Sequence, residues 1–221
     1  MNYERSISSI DLHPSLAQKM IYEFCKPYIK GKDVLDVGCW AGYFERLAVK
    51  DVKSIVGVDI DPFVIGEAQK LTPKATFKVA FGEKLPLKAN SVDTVIFAEV
   101  IEHVQNEQKC IDEIYRVLRP GGTVIIMTPR KHFLSILLDP AYFLLKHRHY
   151  SIEELKRCLT KFRNITYSYH YGVVGRSFDI VALLVKHVFK KRIDVPSLLE
   201  PIVRAENKKG FAGIFVVATK Q

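Results

Sequence analysis

The sequence has few cysteines, and none of them stand in a pairing pattern. Its 221 residues include four, Cys25, Cys39, Cys110 and Cys158, and no two have a C-x-x-C spacing. Scattered cysteines argue against a disulfide framework and against a cysteine-ligated zinc site. We therefore expect a protein of a reducing compartment, the cytoplasm.

Long hydrophobic runs are also lacking. No uninterrupted apolar stretch reaches the roughly 18 residues of a membrane-spanning helix, because Asp139-Pro140 and Lys186-His187 break the two longest candidates. The first fifteen residues carry no apolar segment of signal-peptide type. Internal repeats and low-complexity segments are absent as well. With 48% hydrophobic residues, the chain predicts one globular domain over residues 1–221 that does not span a membrane.

Acidic residues are in deficit, which gives a net charge of +9 and a pI near 9.3. Such a surplus favours contact with an anionic membrane surface or with RNA. It does not require either, because many basic proteins bind neither. The segment Phe178–Arg192 is amphipathic with a basic end, and it would either lie on an anionic membrane or pack over a substrate pocket.

Strand and helix patterns alternate along most of the chain. Strand patterns occupy residues 34–37, 54–58, 76–81, 94–97, 123–127, 164–171 and 213–219, and helical patterns occupy residues 15–29, 43–50, 62–70, 107–118 and 152–159. Strands that alternate with helices predict a doubly wound, mostly parallel sheet covered on both faces. The apolar, basic segments 130–150 and 172–209 interrupt this rhythm, and we predict that they are cap elements over a substrate site.

The stretch Val34–Phe44, VLDVGCWAGYF, is a buried strand that enters a glycine-containing turn and then a helix. Glycine permits positive φ and lets bare backbone approach a ligand. A second strand ends at Asp59, and an acid at that point accepts hydrogen bonds from ribose hydroxyls in doubly wound folds. Asp61 precedes Pro62 as an N-cap. The G-x-G-x-x-G fingerprint of nicotinamide sites is missing, since the glycines of the turn fall only at 38 and 42.

Five motifs in order carry a family resemblance. VLDVGCWAGYF, VGVDIDP, Leu85-Pro86, SVDTVIFAEVIEHV and EIYRVLRPGGTVIIMTP, which together span residues 33–129, resemble the class I S-adenosylmethionine-dependent methyltransferases, in particular the small-molecule branch that includes ubiquinone-biosynthesis O-methyltransferases. The resemblance implies a Rossmann-like sheet of seven strands whose last strand is antiparallel. It also implies that residues 33–129 form the cofactor-binding core.

The resemblance assigns S-adenosylmethionine as the cofactor and gives each of its parts a set of residues. Asp36, Gly38 and Cys39 would line the methionine end, Asp59 would hold the ribose, and Ile60 would lie against the adenine. Ala98 and Glu99 would border the transferred methyl group.

The chain departs from the family pattern at three positions. Family members usually place Asp-Ala where this chain has Phe81-Gly82, so Phe81 would pack on the adenine and the Gly82 backbone would reach the ring. Trp40 stands where a central glycine is common. It would point away from the cofactor, shield its methionine end, or pack against the N-terminal helix.

Transfer of the methyl group to a hydroxyl would gain from a general base, for which we predict His103; a structural histidine is the alternative. Glu99, Glu102 and His103 form E-x-x-E-H, and a similar cluster holds a divalent cation in some relatives, so Mg²⁺ or Mn²⁺ with a further ligand at His147 or His149 is the competing hypothesis. In relatives that use no metal, the residues at these positions help to build the turn. We therefore predict no metal site.

These observations predict methyl transfer to a hydroxyl of a small or lipid-like acceptor. Two alternatives stay open. The first is an RNA methyltransferase, which the positive charge favours but no RNA-binding module supports. The second is a non-catalytic protein that binds the cofactor or a partner.

Overall fold

The computed structural model of the protein describes residues 14–139, 142, 147–175, 177–178, 181, 185, 193, 195–207 and 210–221. Its strands are β1 (Asp33–Val37), β2 (Ser54–Asp59), β3 (Thr76–Val79), β4 (Val92–Ala98), β5 (Leu118–Pro129), β6 (Phe162–His170) and β7 (Gly213–Lys220). Its principal helices are α1 (Leu16–Ile29), α2 (Tyr43–Ala48), α3 (Pro62–Leu71), α4 (Glu107–Val117), α5 (Phe133–Leu137), α6 (Ile152–Cys158) and α7 (Glu200–Asn207).

The seven strands form one sheet in the order β3-β2-β1-β4-β5-β7-β6. Strands β1 to β5 pair in parallel, and β7 is antiparallel to both β5 and β6. The order of strands reverses between β3 and β4, so β4 lies beside β1 on the side away from β2, and the connections after β1 and β4 lead to helices on opposite faces of the sheet. The predicted doubly wound, mostly parallel sheet with an antiparallel last strand is therefore confirmed.

The core lies on both faces of the sheet because side chains alternate along each strand. Val34 and Ile125 enter the cluster under α1, α2 and α3, whereas their neighbours Leu35 and Ile126 enter the cluster under α4 and α6. Continuous apolar runs in β1, β4 and β5 follow directly from this two-sided burial.

Polar residues fix the helix starts that position the site. Ser15 caps α1 through a reciprocal capping box with Gln18. Asp61 caps α3 by accepting from the Phe63 N–H at 2.9 Å, with Pro62 in the first turn, which confirms the predicted cap.

Two predicted boundaries were wrong by a few residues. β3 ends at Val79 instead of Phe81, because Phe81 turns back to form a bridge with Lys84. β5 begins at Leu118, where the helical pattern was expected to end, and its pairing with β4 shifts register between Val92 and Thr94.

The predicted cap segments 130–150 and 172–209 are described only in part, through α5, α7 and short stretches beside them. Most of Phe178–Arg192 lies outside the described residues, so the cap assignment stays a prediction. No helix in the part of the chain that the structure describes combines the length and apolarity needed to cross a bilayer.

Candidate active site

The turn between β1 and α2 depends on glycine at two positions. Gly38 has φ +82°, and a Cβ there would stand 2.2 Å from the Val100 Cγ2 atom. Gly42 has φ +73°, and a Cβ would meet the Phe77 ring at 2.9 Å. Any side chain would therefore meet both backbone strain and a collision, so the turn keeps its bare backbone at the carboxyl end of β1.

Trp40 occupies the same turn in the left-handed region, with φ +49°. A non-glycine residue pays a conformational cost there, which explains physically why glycine suits this position in relatives. The Trp40 N–H donates to Asp59 Oδ2 at 3.0 Å, and the Asp61 N–H donates to Asp59 Oδ1 at 3.0 Å. The Asp59 carboxylate therefore joins the two turns that follow β1 and β2.

A pocket of about 160 Å³ opens beside this turn. Five residues assigned to the cofactor line it, namely Asp36, Gly38, Cys39, Ala98 and Glu99. Further lining comes from residues that the sequence did not single out, Gln18, Ile21, Tyr43, Phe44 and Ile96, together with Trp40. Trp40 therefore borders the same pocket as Gln18 and Ile21 of α1. This position is compatible with two of its predicted roles, shielding the methionine end and packing against the N-terminal helix, which stay predictions.

The other four assigned residues, Asp59, Ile60, Phe81 and Gly82, do not line this pocket. Asp59 is the last residue of β2, and Ile60 follows it. Phe81 and Gly82 follow β3, whose pairing with β2 ends at Val79. Ile60 and Phe81 are 62% and 64% exposed, which leaves two apolar surfaces open beside the Asp59 carboxylate. A carboxylate next to open apolar surface fits a ribose with an attached base, so these residues suit the nucleoside half of the cofactor; the assignment stays a prediction.

Buried carboxylates dominate the electrostatics of the pocket. Asp36 is 5% exposed, and burial, with a smaller contribution from the nearby Asp59 charge, raises its pKa to about 7, although the neighbouring Glu45 carboxyl acts in the opposite direction. Burial likewise raises the pKa of the Cys39 thiol, and the surrounding carboxylates raise it further. The described groups that shift these pKa values include no lysine or arginine. Asp36, which ionises near neutral pH in this wall, fits a ligand whose inner end is cationic, such as the methionine end of S-adenosylmethionine.

A second cluster follows β4 and β5. Glu99 has φ +55° and donates its N–H to the Met127 carbonyl at 2.8 Å, so it begins a strained turn. Within that turn, the buried Glu102 carboxylate accepts from Thr128 Oγ1 at 2.9 Å. Its other oxygen lies 3.7 Å from His147 Nε2.

Histidines surround Glu102. His147 Nδ1 and His149 Nε2 each lie 2.8 Å from Asp139 Oδ2, so one carboxylate orients both rings. His103 stacks on His147 with ring centroids 4.8 Å apart. Arg148 reaches the carbonyls of Ile101 and Val104 and fixes the turn below them.

His103, the predicted base, lies in this cluster and not in the 160 Å³ pocket. Desolvation, followed by the His147 and Arg148 charges, lowers the pKa of His103. A lowered pKa keeps the imidazole neutral near neutral pH, which is the form that accepts a proton. Burial and the Glu99 charge raise the pKa of Glu102 well above its ordinary range.

Among the described residues, two groups have ligand atoms within 4.8 Å of one another: Glu102, His103 and His147, and Asp139, His147 and His149. Glu99 belongs to neither group, so E-x-x-E-H does not gather as a unit. Nitrogen and carboxylate ligands of the first group would suit a divalent cation by type. We retain the prediction that the site works without one.

A larger cavity of about 750 Å³ adjoins the histidines. It is lined by His147, His149, Tyr142, Tyr150, Ile136, Cys158, Arg148, Arg157, Lys131, Glu107 and Glu154. It shares no lining residue with the 160 Å³ pocket. Most of its lining residues fall in segment 130–150, which the sequence analysis assigned to a substrate cap, and Glu107, Glu154, Arg157 and Cys158 complete the wall.

Comparison with known proteins finds relatives of this part of the chain. A family profile described as "Methyltransferase domain" matches residues 35–126. A probable S-adenosylmethionine-dependent methyltransferase of Mycolicibacterium smegmatis is 31% identical over 113 residues, which are 51% of this chain and 44% of that protein. The mitochondrial ubiquinone biosynthesis O-methyltransferase of Rattus norvegicus is 33% identical over 118 residues, 50% of this chain and 34% of that protein.

Among solved structures, a SAM-dependent methyltransferase of Thermotoga maritima, described as a possible histamine N-methyltransferase, has the same fold. It superposes with a TM-score of 0.68 at 18% identity and covers 93% of this chain and 90% of its own. The chain spans less than half the length of the two curated relatives in the matched regions. The matching profile and the relatives agree that residues 35–126 are similar to the methyltransferase domain of S-adenosylmethionine-dependent methyltransferases, and the solved structure shows that the fold is the same.

Proposed function

We propose that the protein transfers a methyl group from S-adenosylmethionine to a hydroxyl of a small or lipid-like acceptor. The observation that carries the proposal is the 160 Å³ pocket, where Asp36, Gly38 and Glu99 meet at the carboxyl ends of β1 and β4. Ligands of doubly wound sheets bind outside the carboxyl ends of the strands at the point where the strand order reverses, which here lies between β1 and β4. When bound, the cofactor supplies an already activated methyl group, so the chain has mainly to position the acceptor.

The residues of the chain divide this work. Asp36 and Cys39 would hold the methionine end, Asp59 the ribose, and the Ile60 and Phe81 surfaces the adenine. His103, kept neutral by its surroundings, would take the proton of an acceptor hydroxyl.

Two features support an oxygen acceptor with apolar character. The rat relative is named an O-methyltransferase. Phe133 and Leu137 of α5 are 75% and 55% exposed, and α5 directly follows the histidine cluster's strand, β5. Exposed apolar side chains beside a site suit an acceptor with a hydrocarbon portion.

We also propose a cytoplasmic location. All four cysteines, Cys25, Cys39, Cys110 and Cys158, are free thiols. Free thiols suit a reducing compartment.

The deciding experiment is calorimetric titration of the protein with S-adenosylmethionine and, as a control, with NADH. Saturable binding of S-adenosylmethionine alone is the expected result, and it would be followed by a panel of hydroxylated acceptors assayed with and without EDTA. Absence of S-adenosylmethionine binding would overturn the proposal in favour of a non-catalytic, methyltransferase-like protein. Loss of activity in EDTA with one bound metal per chain would replace the metal-free mechanism by one that uses Glu102, His103 and His147.

A further inference from the structure

One carboxylate of the β1–α2 region has no role in the mechanism described so far. Glu45 lies on α2 with 0% of its surface exposed. Neither of its carboxylate oxygens receives a hydrogen bond from any N–H or O–H group of the described residues. A fully buried carboxylate without a donor is costly, so its presence calls for a physical reason.

The fold makes room for Glu45 in a specific place. A Cβ at Gly57 of β2 would stand 2.4 Å from Glu45 Oε1 and 2.9 Å from Cys39 Sγ. Gly57 is the register partner of Asp36 in β1. The absence of a side chain at 57 therefore opens the space through which the Glu45 carboxyl reaches the sheet beside Asp36.

The Glu45 and Asp36 carboxyl groups are close enough for each to shift the pKa of the other, as expected for side chains that both border Gly57. Two ionised carboxylates would both be acceptors and would repel one another; one proton between them converts the repulsion into a hydrogen bond. The titratable groups that face the pair from the packed elements are Asp59 of β2, Cys39 of the turn and Cys25 of α1. None of these three carries positive charge, so a proton on the pair itself is the remaining way to reduce the repulsion.

The two carboxyl groups differ in depth. Asp36 lines the pocket, whereas Glu45 is sealed behind it. The deeper group is the more expensive to ionise, and burial raises the pKa of Glu45 well above its ordinary range. The proton therefore belongs on Glu45, and the charge belongs on Asp36, where a ligand can meet it.

We propose that Glu45 is a positioning residue: as a neutral carboxylic acid it donates a hydrogen bond to Asp36 and holds Asp36 as the anion that receives the cationic end of the cofactor. The inference rests on the proposed function, because it concerns the same cofactor. It adds a residue outside the pocket lining and predicts that cofactor binding depends on pH through Asp36. Below the pKa of Asp36, binding must expel a proton to the solvent; above it, Asp36 is already ionised.

The test measures the dissociation constant of S-adenosylmethionine against pH across the neutral range by quenching of Trp40 fluorescence. Trp40 is the only tryptophan of the chain and lines the pocket, so the signal reports on this site. In the parent protein we expect affinity to rise with pH and to level off above about pH 7, the pKa of Asp36. Parallel thermal unfolding confirms that each variant is folded.

Three variants separate the explanations. Glu45→Leu removes the donor, so affinity at neutral pH should fall about tenfold and the midpoint of the pH dependence should move up by about one unit. Glu45→Gln supplies an amide donor and should restore most of the affinity that Glu45→Leu loses. Thr72→Val removes a buried hydroxyl without a partner at the C-terminal cap of α3, outside the pocket lining, and should leave the midpoint where it is.

The outcomes are distinguishable. If the parent binds S-adenosylmethionine but its affinity is flat with pH, or if Glu45→Gln loses as much affinity as Glu45→Leu, then Glu45 is not a proton donor to Asp36 and the inference is overturned. If Glu45→Leu does not fold, the comparison of the parent with Glu45→Gln still decides. If the parent does not bind S-adenosylmethionine at any pH, the proposed function itself has failed.

Discussion

The two halves of the sheet's carboxyl edge treat their charges in opposite ways. After β1 and β2, the buried carboxylates Asp36 and Glu45 face no cation among the groups that shift their pKa values. After β4 and β5, Asp139 Oδ2 lies 2.8 Å from a ring nitrogen of His147 and of His149. The Glu102 carboxylate accepts a hydrogen bond from Thr128. The first half therefore suits a cationic ligand, whereas the second half already places histidine rings against its carboxylates.

This difference suits the two tasks proposed for the carboxyl edge of the sheet, cofactor binding and proton transfer. A buried charge without a partner lowers the stability of the ligand-free protein. A cationic ligand that pairs with this charge recovers that free energy as binding affinity. Carboxylates beside histidine rings already have hydrogen-bond partners within the protein, and imidazole is a side chain suited to proton transfer. We therefore expect changes in the first half to alter cofactor binding and changes in the second half to alter the rate and its pH dependence.

The largest effect should come from Gly38→Ala, which breaks the cofactor half. The new Cβ would combine positive-φ strain with a collision 2.2 Å from Val100, so we expect destabilisation of about 3 kcal/mol or more and loss of cofactor binding. Chemical denaturation and calorimetry would measure both. Gly31→Ala is the matched control, because Gly31 has φ +68° with no atom within 4 Å of the added Cβ and should show the strain alone. Equal destabilisation in the two variants would rule out the collision.

Asp59→Ala should have the next largest effect. It removes the acceptor of the predicted ribose hydrogen bonds and the link between the two turns, so S-adenosylmethionine should bind about 10- to 100-fold more weakly by calorimetry. Asp61→Ala is the control: it removes only the cap of α3, which should cost about 1 kcal/mol of stability and little affinity. Unchanged affinity in Asp59→Ala would show that the ribose assignment is wrong.

Changing the pH should act on the two halves with opposite sign. The pKa of Asp36 is raised in the folded state, so its contribution to stability is present at low pH and is lost as pH rises through about 7. The pKa of His103 is lowered, so its contribution is present above the unfolded value near 6.5 and is lost as pH falls below that value. Denaturation of the ligand-free parent, of Glu45→Leu and of His103→Gln at several pH values would separate the two contributions.

The same histidine makes a kinetic prediction. If His103 is the base, kcat/KM should rise with pH through a midpoint below 6.5, and His103→Gln should lower the rate and remove that midpoint while cofactor affinity stays near the parent value. A variant that keeps both the rate and the midpoint would leave His103 with a structural role only.

Trp40→Gly should have the smallest effect and sharpens the comparison within the cofactor half. Glycine relieves the cost of φ +49°, so stability should change by only about 1 kcal/mol, in the stabilising direction unless lost packing offsets it. Thermal unfolding and calorimetry would record stability and affinity. A large loss of affinity would show that the indole, which lines the pocket, contacts the cofactor directly.

The order of elements and the cap at Asp61 were predictable from local periodicity and from turn residues, which neighbours along the chain determine. The seven-stranded sheet and its antiparallel last strand were expected from the family resemblance of the five motifs and not from periodicity. The glycine turn and Asp59 were predictable for the same reason, because strand-end positions in a parallel sheet converge at one edge. The sequence also showed that Trp40 replaces a glycine, though not that its backbone adopts positive φ.

Only the tertiary structure brought Gln18 and Ile21 of α1 to the pocket, placed Glu45 behind Asp36, and gathered His147, His149 and Asp139 around Glu102 and His103. These side chains come from elements far apart in sequence, and no short pattern encodes which helix face meets which strand. Glu45 is the clearest case. In the sequence, Glu45 is an ordinary polar residue of a short predicted helix. Its burial follows from the space above Gly57, which exists only after β2 pairs with β1.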